Sequence, residues 1–219
     1  MARKKLIIWL HRIGYVTTAI VAAQLVGIGI IGLRLWNEDR QRLAYALDKS
    51  RTHKGPLSAQ KLRFRPDAID VLATLPALQR NGLRMVARPA LRDSWIALSL
   101  STSSNGNAQG HLKIFAQPDG QENNLSAQRS LDFSISNTEA ISLLSDISIM
   151  TNDWDGERLA CLDGTGFAFE LSLDGEVTSG QGNSACSDHY GAVSQRVQKS
   201  INRFIPKELR PTGGNWRPL

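Results

Sequence analysis

Residues 13–33 constrain this chain more than any other stretch: twenty-one consecutive residues without a charge, from Ile13-Gly14-Tyr15 to Ile31-Gly32-Leu33. A helix needs about 20 apolar residues to cross the hydrocarbon core of a bilayer, and this run supplies them. Tyr15 near one end and Trp36 just past the other are the amphipathic rings that favour bilayer interfaces. A cleavable export signal has an apolar region of about 7–15 residues closed by a small-residue site. Here the run is longer and is followed by Arg34, Glu38, Asp39 and Arg40, while the one Ala-x-Ala sequence, Ala44-Tyr45-Ala46, lies downstream among charges. The expectation is a retained transmembrane anchor over residues 13–33.

Ala19, Ala23 and Gly27 recur every four residues, so one face of that helix is small enough for a partner helix to pack closely. A homodimer through this transmembrane packing face follows as an expectation. Gln24 is the one strongly polar side chain in the span. It is either tolerated in a long apolar helix or makes an interhelical hydrogen bond, worth only about 0.6–2 kcal/mol in a bilayer.

Lys and Arg counts near the helix ends set orientation. Arg3, Lys4, Lys5 and Arg12 precede the span; Arg34, Arg40, Arg42, Lys49 and Arg51 follow it. The downstream charges are diluted by Glu38, Asp39 and Asp48, and the upstream ones fill a tail of twelve residues, as a start-anchor requires. Residues 1–12 therefore read as a cytoplasmic tail of a single-pass inner-membrane protein whose C-terminal domain is periplasmic or otherwise extracytoplasmic. The two cysteines, Cys161 and Cys186, make sense as a disulfide in such an oxidising compartment. A bridge between them closes a loop of about 25 residues and contributes roughly 3.5 kcal/mol on the loop-entropy estimate.

The net charge of +6 is an average over three unlike regions. Residues 1–65 carry thirteen Lys/Arg against three acids, residues 66–195 seven against sixteen, and residues 196–219 six against one. The part long enough to fold is acidic, which has the wrong sign for nucleic acid. The basic stretch 34–65 reads as a juxtamembrane helix and linker facing anionic lipid head groups, at about 1 kcal/mol per charge near the surface, or simply as a solvated helix face.

Downstream, a helix is expected after Pro66, with Ile69, Leu72, Leu75 and Leu78 near a 3.6 spacing, interrupted at Pro76 and ending at Asn81-Gly82. The rhythm then changes to period two: Leu83/Met85/Ala87, Ile96/Leu98/Leu100, Leu112/Ile114/Ala116, Leu131/Phe133/Ile135 and Phe167/Phe169/Leu171/Leu173. That is the pattern of half-buried antiparallel strands. Turn chemistry separates them at Ser104-Asn105-Gly106-Asn107, Pro118-Asp119-Gly120, Asp163-Gly164-Thr165-Gly166 and Asp174-Gly175. Asn137 reads as the N-cap of a short helix over residues 139–144. The clearest helix is the last, with Tyr190, Val193, Val197, Ile201 and Phe204 on one face, capped by Ser187 or Asp188 and stopped at Pro206. The fold class is α+β: a transmembrane helix, then an exported antiparallel sheet domain over residues 66–205 packed with a C-terminal amphipathic helix, and a flexible tail over 206–219.

Catalytic signatures do not follow. There is no Gly-x-Ser-x-Gly, no phosphate-binding glycine loop and no His-Glu-x-x-His. Cys186, His189 and Cys161 give three zinc-type ligands without a second close pair. The segment from Thr151 to Gly156 resembles a calcium loop until position twelve, which falls on Leu162 rather than an acid. Asp153, Asp155, Glu157 and Asp163 remain a candidate cation or partner site, with a hydrated turn as the plain alternative. No cofactor is expected, and the chain reads as a non-enzyme.

The first ninety residues resemble the front end of membrane sensor histidine kinases. The residues that carry the likeness are Arg12-Ile13, an apolar helix containing Ala22-Ala23-Gln24-Leu25, then Asn37-Glu38-Asp39-Arg40-Gln41-Arg42-Leu43, and a second helix reaching Leu83-Arg84-Met85-Val86. In that family these parts are the first transmembrane helix and the start of an extracytoplasmic sensor. The sequence then departs from the pattern, with no second transmembrane helix, phosphoacceptor helix or ATP-binding lobe, so no kinase activity carries over. The resemblance implies a sensor-like or partner-binding exported module. The expected function is recognition of an envelope partner or ligand. The alternative is a structural or accessory subunit of an envelope complex, of the pilin-like or secretion type, and a metal-dependent enzyme built on Asp153, Asp155, Asp163 and His189 stands third.

Overall fold

The computed structural model describes residues 2–59, 67–89, 94–116, 126–157, 164–184, 186–207, 210 and 216, with side chains described from residue 14 onward except at 16, 19, 67 and 126. Its helices are α1 (Ala2–Ser50), α2 (Asp67–Ala73), α3 (Asn137–Thr151) and α4 (Asp188–Ile201). Its strands are β1 (His53–Lys54), β2 (Gly82–Pro89), β3 (Ser94–Ser101), β4 (Asn107–Ala116), β5 (Ser126–Ser136), β6 (Thr165–Leu173) and β7 (Glu176–Asn183). Single 3-10 turns lie at Leu57–Ala59 and Asn202–Phe204. The chain divides into two compact units, Met1–Tyr45 and Ala46–Leu219.

The first unit is helical and presents its apolar side chains outward. Leu25, Val26, Ile28, Ile30, Ile31 and Leu33 are each more than half exposed. Among the described residues this is the one helix long and apolar enough to cross a membrane, and none of its apolar window is buried. Such a surface is compatible with a single-pass membrane protein, because a bilayer removes the cost of leaving it in water.

In the second unit every pairing is antiparallel, in the order β1-β7-β6-β2-β3-β4-β5. Successive side chains of a strand point to opposite faces, so the period-two residues separate into two layers. On the first face Leu83, Met85, Ile96, Leu98, Leu112, Phe133, Phe167 and Phe169 join Leu143, Leu144 and Ile147 of α3 and Tyr190, Val193, Val197 and Ile201 of α4 in one apolar cluster. On the second face Val86, Trp95, Ala97, Phe115 and Ala168 meet Leu57 and the Val71, Leu72 and Leu75 cluster of α2 and its exit. The central strands are thus buried on both sides, which explains why β3 shows six consecutive buried residues.

The β6–β7 hairpin turns at Asp174 and Gly175, both with positive φ, the geometry that an Asp-Gly pair supplies. The strand β7 escapes the alternation argument because it reads Glu-Val-Thr-Ser-Gly-Gln-Gly-Asn. Its glycines have a packing cause: a Cβ at Gly182 would overlap the Tyr190 ring, so only glycine lets α4 lie this close to the strand.

Three helix boundaries differ from the sequence expectation. The helix after Pro66 stops at Ala73, three residues before Pro76, because the residue preceding a proline is driven out of the helical region. The helix expected over residues 139–144 runs to Thr151 and is capped by Ser136, whose hydroxyl accepts from the Glu139 N–H, rather than by Asn137. Ser187 caps α4, accepting from Tyr190 N–H at 3.0 Å. The tail, read as mobile, returns to the core at Trp216, which is fully buried against Phe167 and donates from Nε1 to Ser194 Oγ. The expected turn at Pro118-Asp119-Gly120 lies outside the described residues.

Candidate functional site

The second face of the sheet holds a cavity of about 390 Å³. Register fixes its walls. Arg88 of β2 lies opposite Gly166 of β6, Val86 opposite Ala168, and Ala168 opposite Gln181 of β7. Trp95 of β3, Ala68 of α2 and Lys49 from the last turn of α1 complete the described lining, with Phe167 and Gly182. Its volume lies within the ~300–1,000 Å³ typical of small-molecule sites, and its mix of apolar wall and few polar groups is theirs too.

Three side chains give the cavity its chemistry. The Arg88 guanidinium sits 4.7 Å from the Trp95 ring centre, a cation–π contact that fixes the charge over the indole face. Trp95 and Gln181 are 3% and 5% exposed, yet the Trp95 Nε1 and the Gln181 side-chain nitrogen have no hydrogen-bond partner. A buried donor left unpaired costs about 1–3 kcal/mol, and residues lining this cavity hold two of them. Lys49 and Arg88 are the charged groups among the described lining residues, and no acid stands among them.

Next to the cavity, Glu170 stiffens the same face. It is 2% exposed, accepts from Leu57 N–H at 2.9 Å and from Arg84 Nε at 3.0 Å, and a second Arg84 nitrogen bonds the same carboxylate oxygen. Arg84 also donates to Leu72 O at 3.4 Å, so one buried ion pair joins the sheet to both segments that cover it.

A second cavity, of about 380 Å³, lies between the exit of α2 and strands β4 and β5. Three of its polar side chains already have partners: His111 Nδ1 meets Asp132 at 2.6 Å, and Lys113 Nζ donates to Thr74 O at 2.6 Å. It lacks the unpaired donors of the first.

The acidic segment makes its described contacts with the end of α1 through its backbone. Among the described residues no group of three or more His, Cys, Asp or Glu side chains converges to hold a metal. Asp153 and Asp155 are exposed, and Asp163 lies outside the described residues. The loop instead grips the end of α1. Ser50 Oγ accepts from Glu157 N–H at 2.7 Å, Thr52 N–H donates to Trp154 O at 2.9 Å, and Tyr190 donates its buried hydroxyl to Ser50 O at 2.8 Å. Gly156 has φ +87°, and a Cβ there would overlap Leu47 O, so only glycine lets the loop pass this close. Burial pushes the Tyr190 hydroxyl well above its ordinary pKa, which keeps it a donor. Trp154 stacks flat on His189 at 3.9 Å, and desolvation lowers the His189 pKa.

The remaining sequence candidates are dispersed. Cys186 is exposed in the turn before α4 and is not a free thiol, while Cys161 lies outside the described residues. On α1, Ala23 is exposed, a Cβ at Gly27 would meet nothing within 4 Å, and the Ala19 side chain is not described. Sequence reading missed Arg88, Trp95 and Gln181, because they come from three strands and no spacing joins them. The one available signal was a pair of polar residues, Arg88 and Gln181, at positions that register places on a covered face.

No family model matches this chain, and no curated protein and no solved structure is detectably similar to it.

Proposed function

We propose that this chain is a single-pass inner-membrane protein that works by recognition rather than catalysis, with its N-terminus in the cytoplasm and its sheet domain exported. Its ligand or envelope partner engages the second face of the sheet. The observation that carries this reading is the cavity lined by Arg88, Trp95 and Gln181, whose two buried donors have no partner within the chain. The exposed apolar helix supports the tether, and the basic segment after it supports contact with anionic head groups. A Cys161–Cys186 disulfide belongs to the same proposal, since Cys186 is not a free thiol and the sequence has one other cysteine.

Gly166 allows a direct test. It is exposed at the cavity wall, and a Cβ built on it meets its neighbours, the Arg88 backbone oxygen and Cβ, only at 3.8 and 3.9 Å. Gly166→Val therefore fills the cavity without displacing the backbone. The full chain and this variant are purified from membranes, and their co-purifying small molecules and proteins are compared by mass spectrometry. A companion that wild type holds and Gly166→Val loses supports the reading. Identical companions in both, with binding of no added ligand sensitive to Gly166→Val, refute it.

A further inference from the structure

Independently of what the cavity holds, we propose that His189 is an acid-sensitive latch: a neutral imidazole keeps the loop after α3 closed on the last turn of α1, and a protonated one releases it.

The ring is wedged between the residues that make the grip. It lies flat on Trp154, with ring centres 3.9 Å apart and planes 5° from parallel, and meets the Tyr190 ring edge-on at 5.1 Å. Both neighbours hold the segment that ends α1. The Trp154 carbonyl accepts from Thr52 N–H at 2.9 Å, and the Tyr190 hydroxyl donates to Ser50 O at 2.8 Å. Three residues past Trp154, the Glu157 N–H donates to Ser50 Oγ at 2.7 Å. A ring that leaves this slot therefore unseats two side chains whose residues bind the same short stretch.

Charge decides whether the ring stays. The His189 Nε2 is buried and has no hydrogen-bond partner. In an imidazolium both nitrogens are donors, so that buried N–H would be left unmet. His189 is also the second residue of α4, where the positive end of the helix dipole opposes a cation. The indole face attracts a cation. Against that attraction stand the unmet donor, the dipole and the desolvation that lowers the His189 pKa.

No described neighbour offsets the charge. Asp188 lies on α4 itself, Asp153, Asp155 and Glu157 lie on the loop, and Asp48, Lys49, Arg51 and His53 lie about the end of α1. Among the described residues none of these bonds to the imidazole. Asp48 and Arg51 pair with each other at 3.8 Å, and His53 Nε2 meets Asp48 O at 3.2 Å. The acids of α3, Glu139 and Asp146, pair with Arg203 and Arg196, and β7 carries no charge from Val177 to Asn183. Protonation therefore drives the ring towards water, and Trp154 and Tyr190 lose the surface that seats them.

The test is hydrogen–deuterium exchange on the full chain in nanodiscs. It is read at single amides as protection factors, which divide out the intrinsic pH dependence of exchange. Between about pH 7.5 and 5 the wild type should lose about tenfold in protection at Thr52 and Glu157, while Ile96 and Leu98 of β3 keep theirs. His189→Phe keeps a ring in the slot and removes the titration, so protection at Thr52 and Glu157 should stay constant over that range. His53→Gln, the control for the other histidine near the contact, should follow wild type. Protection that stays constant in wild type overturns the latch, as does a fall that persists undiminished in His189→Phe. Should His189→Phe lose the grip at every pH, the NMR titration of the labelled wild-type imidazole decides. A His189 midpoint that coincides with the loss of protection supports the latch, and one displaced from it by about a unit or more overturns it.

Discussion

Replacing Glu170 by leucine tests whether the second face of the sheet is held by a buried charge pair. Glu170 is 2% exposed and its Arg84 partner's side chain is 19% exposed, so the variant leaves a mostly buried guanidinium without its carboxylate. Breaking such a pair by removing one partner costs about 3–5 kcal/mol. The partial exposure of Arg84 puts the electrostatic part at the lower end, about 3 kcal/mol. Loss of the acceptor for the Leu57 N–H adds about 1 kcal/mol, for a total near 4 kcal/mol. Adding Arg84→Met removes the stranded charge, so the double variant recovers about 2 kcal/mol or more of that loss. The assay is urea unfolding of the full chain in detergent, followed by the circular dichroism of the sheet domain. A double variant as unstable as Glu170→Leu alone refutes the charge argument. A single-variant cost below about 1 kcal/mol refutes the burial argument as well.

Trp216 gives an equally sharp expectation. Truncating the chain after residue 210 removes a fully buried indole and lowers stability by about 2–4 kcal/mol in the same urea assay. A change within about 0.5 kcal/mol would instead mark the tail as energetically idle. Gly156→Ala adds a Cβ at φ +87° against Leu47 O, and the expected outcome is faster amide exchange at Thr52 and Glu157, whose N–H groups bond across this contact. Unchanged exchange there would contradict the gripping role of the loop. His189 has its folded-state pKa lowered by desolvation, so burial favours the neutral ring. Its contribution is full above the unfolded pKa of about 6.5 and is lost as pH falls towards the lower folded value. Wild type should therefore lose more stability between pH 7.5 and 5 than His189→Phe does, and parallel losses in the two would refute the assignment.

Much of the architecture was legible because burial leaves a period in the sequence. Leu83/Met85/Ala87 and Ile96/Leu98/Leu100 announced β2 and β3 by alternation, and Asp174-Gly175 announced a hairpin by its φ requirement. The strand β7 was not legible, since its Gly180 and Gly182 exist to admit rings from Phe169 and Tyr190 that no local pattern reveals. Trp216 was hidden for a related reason: a lone aromatic in a Pro-Gly-rich tail is indistinguishable from an exposed one until the core it fills is known. The acidic loop reads in the sequence as a set of side-chain oxygens, and its backbone contacts through Trp154, Gly156 and Glu157 leave no pattern there. The cavity lay furthest from reach, because Arg88, Trp95 and Gln181 come together through register and not through spacing.

The measurement that bears most directly on an exported, membrane-tethered recognition domain is the linkage state of Cys161 and Cys186. The native protein is taken from membranes with thiols blocked before lysis, then digested without reductant and sequenced by mass spectrometry. The expected result is a peptide pair joined through Cys161 and Cys186, as an oxidising compartment allows. Two alkylated cysteines would place the sheet domain in a reducing compartment and contradict the topology on which the proposed function stands.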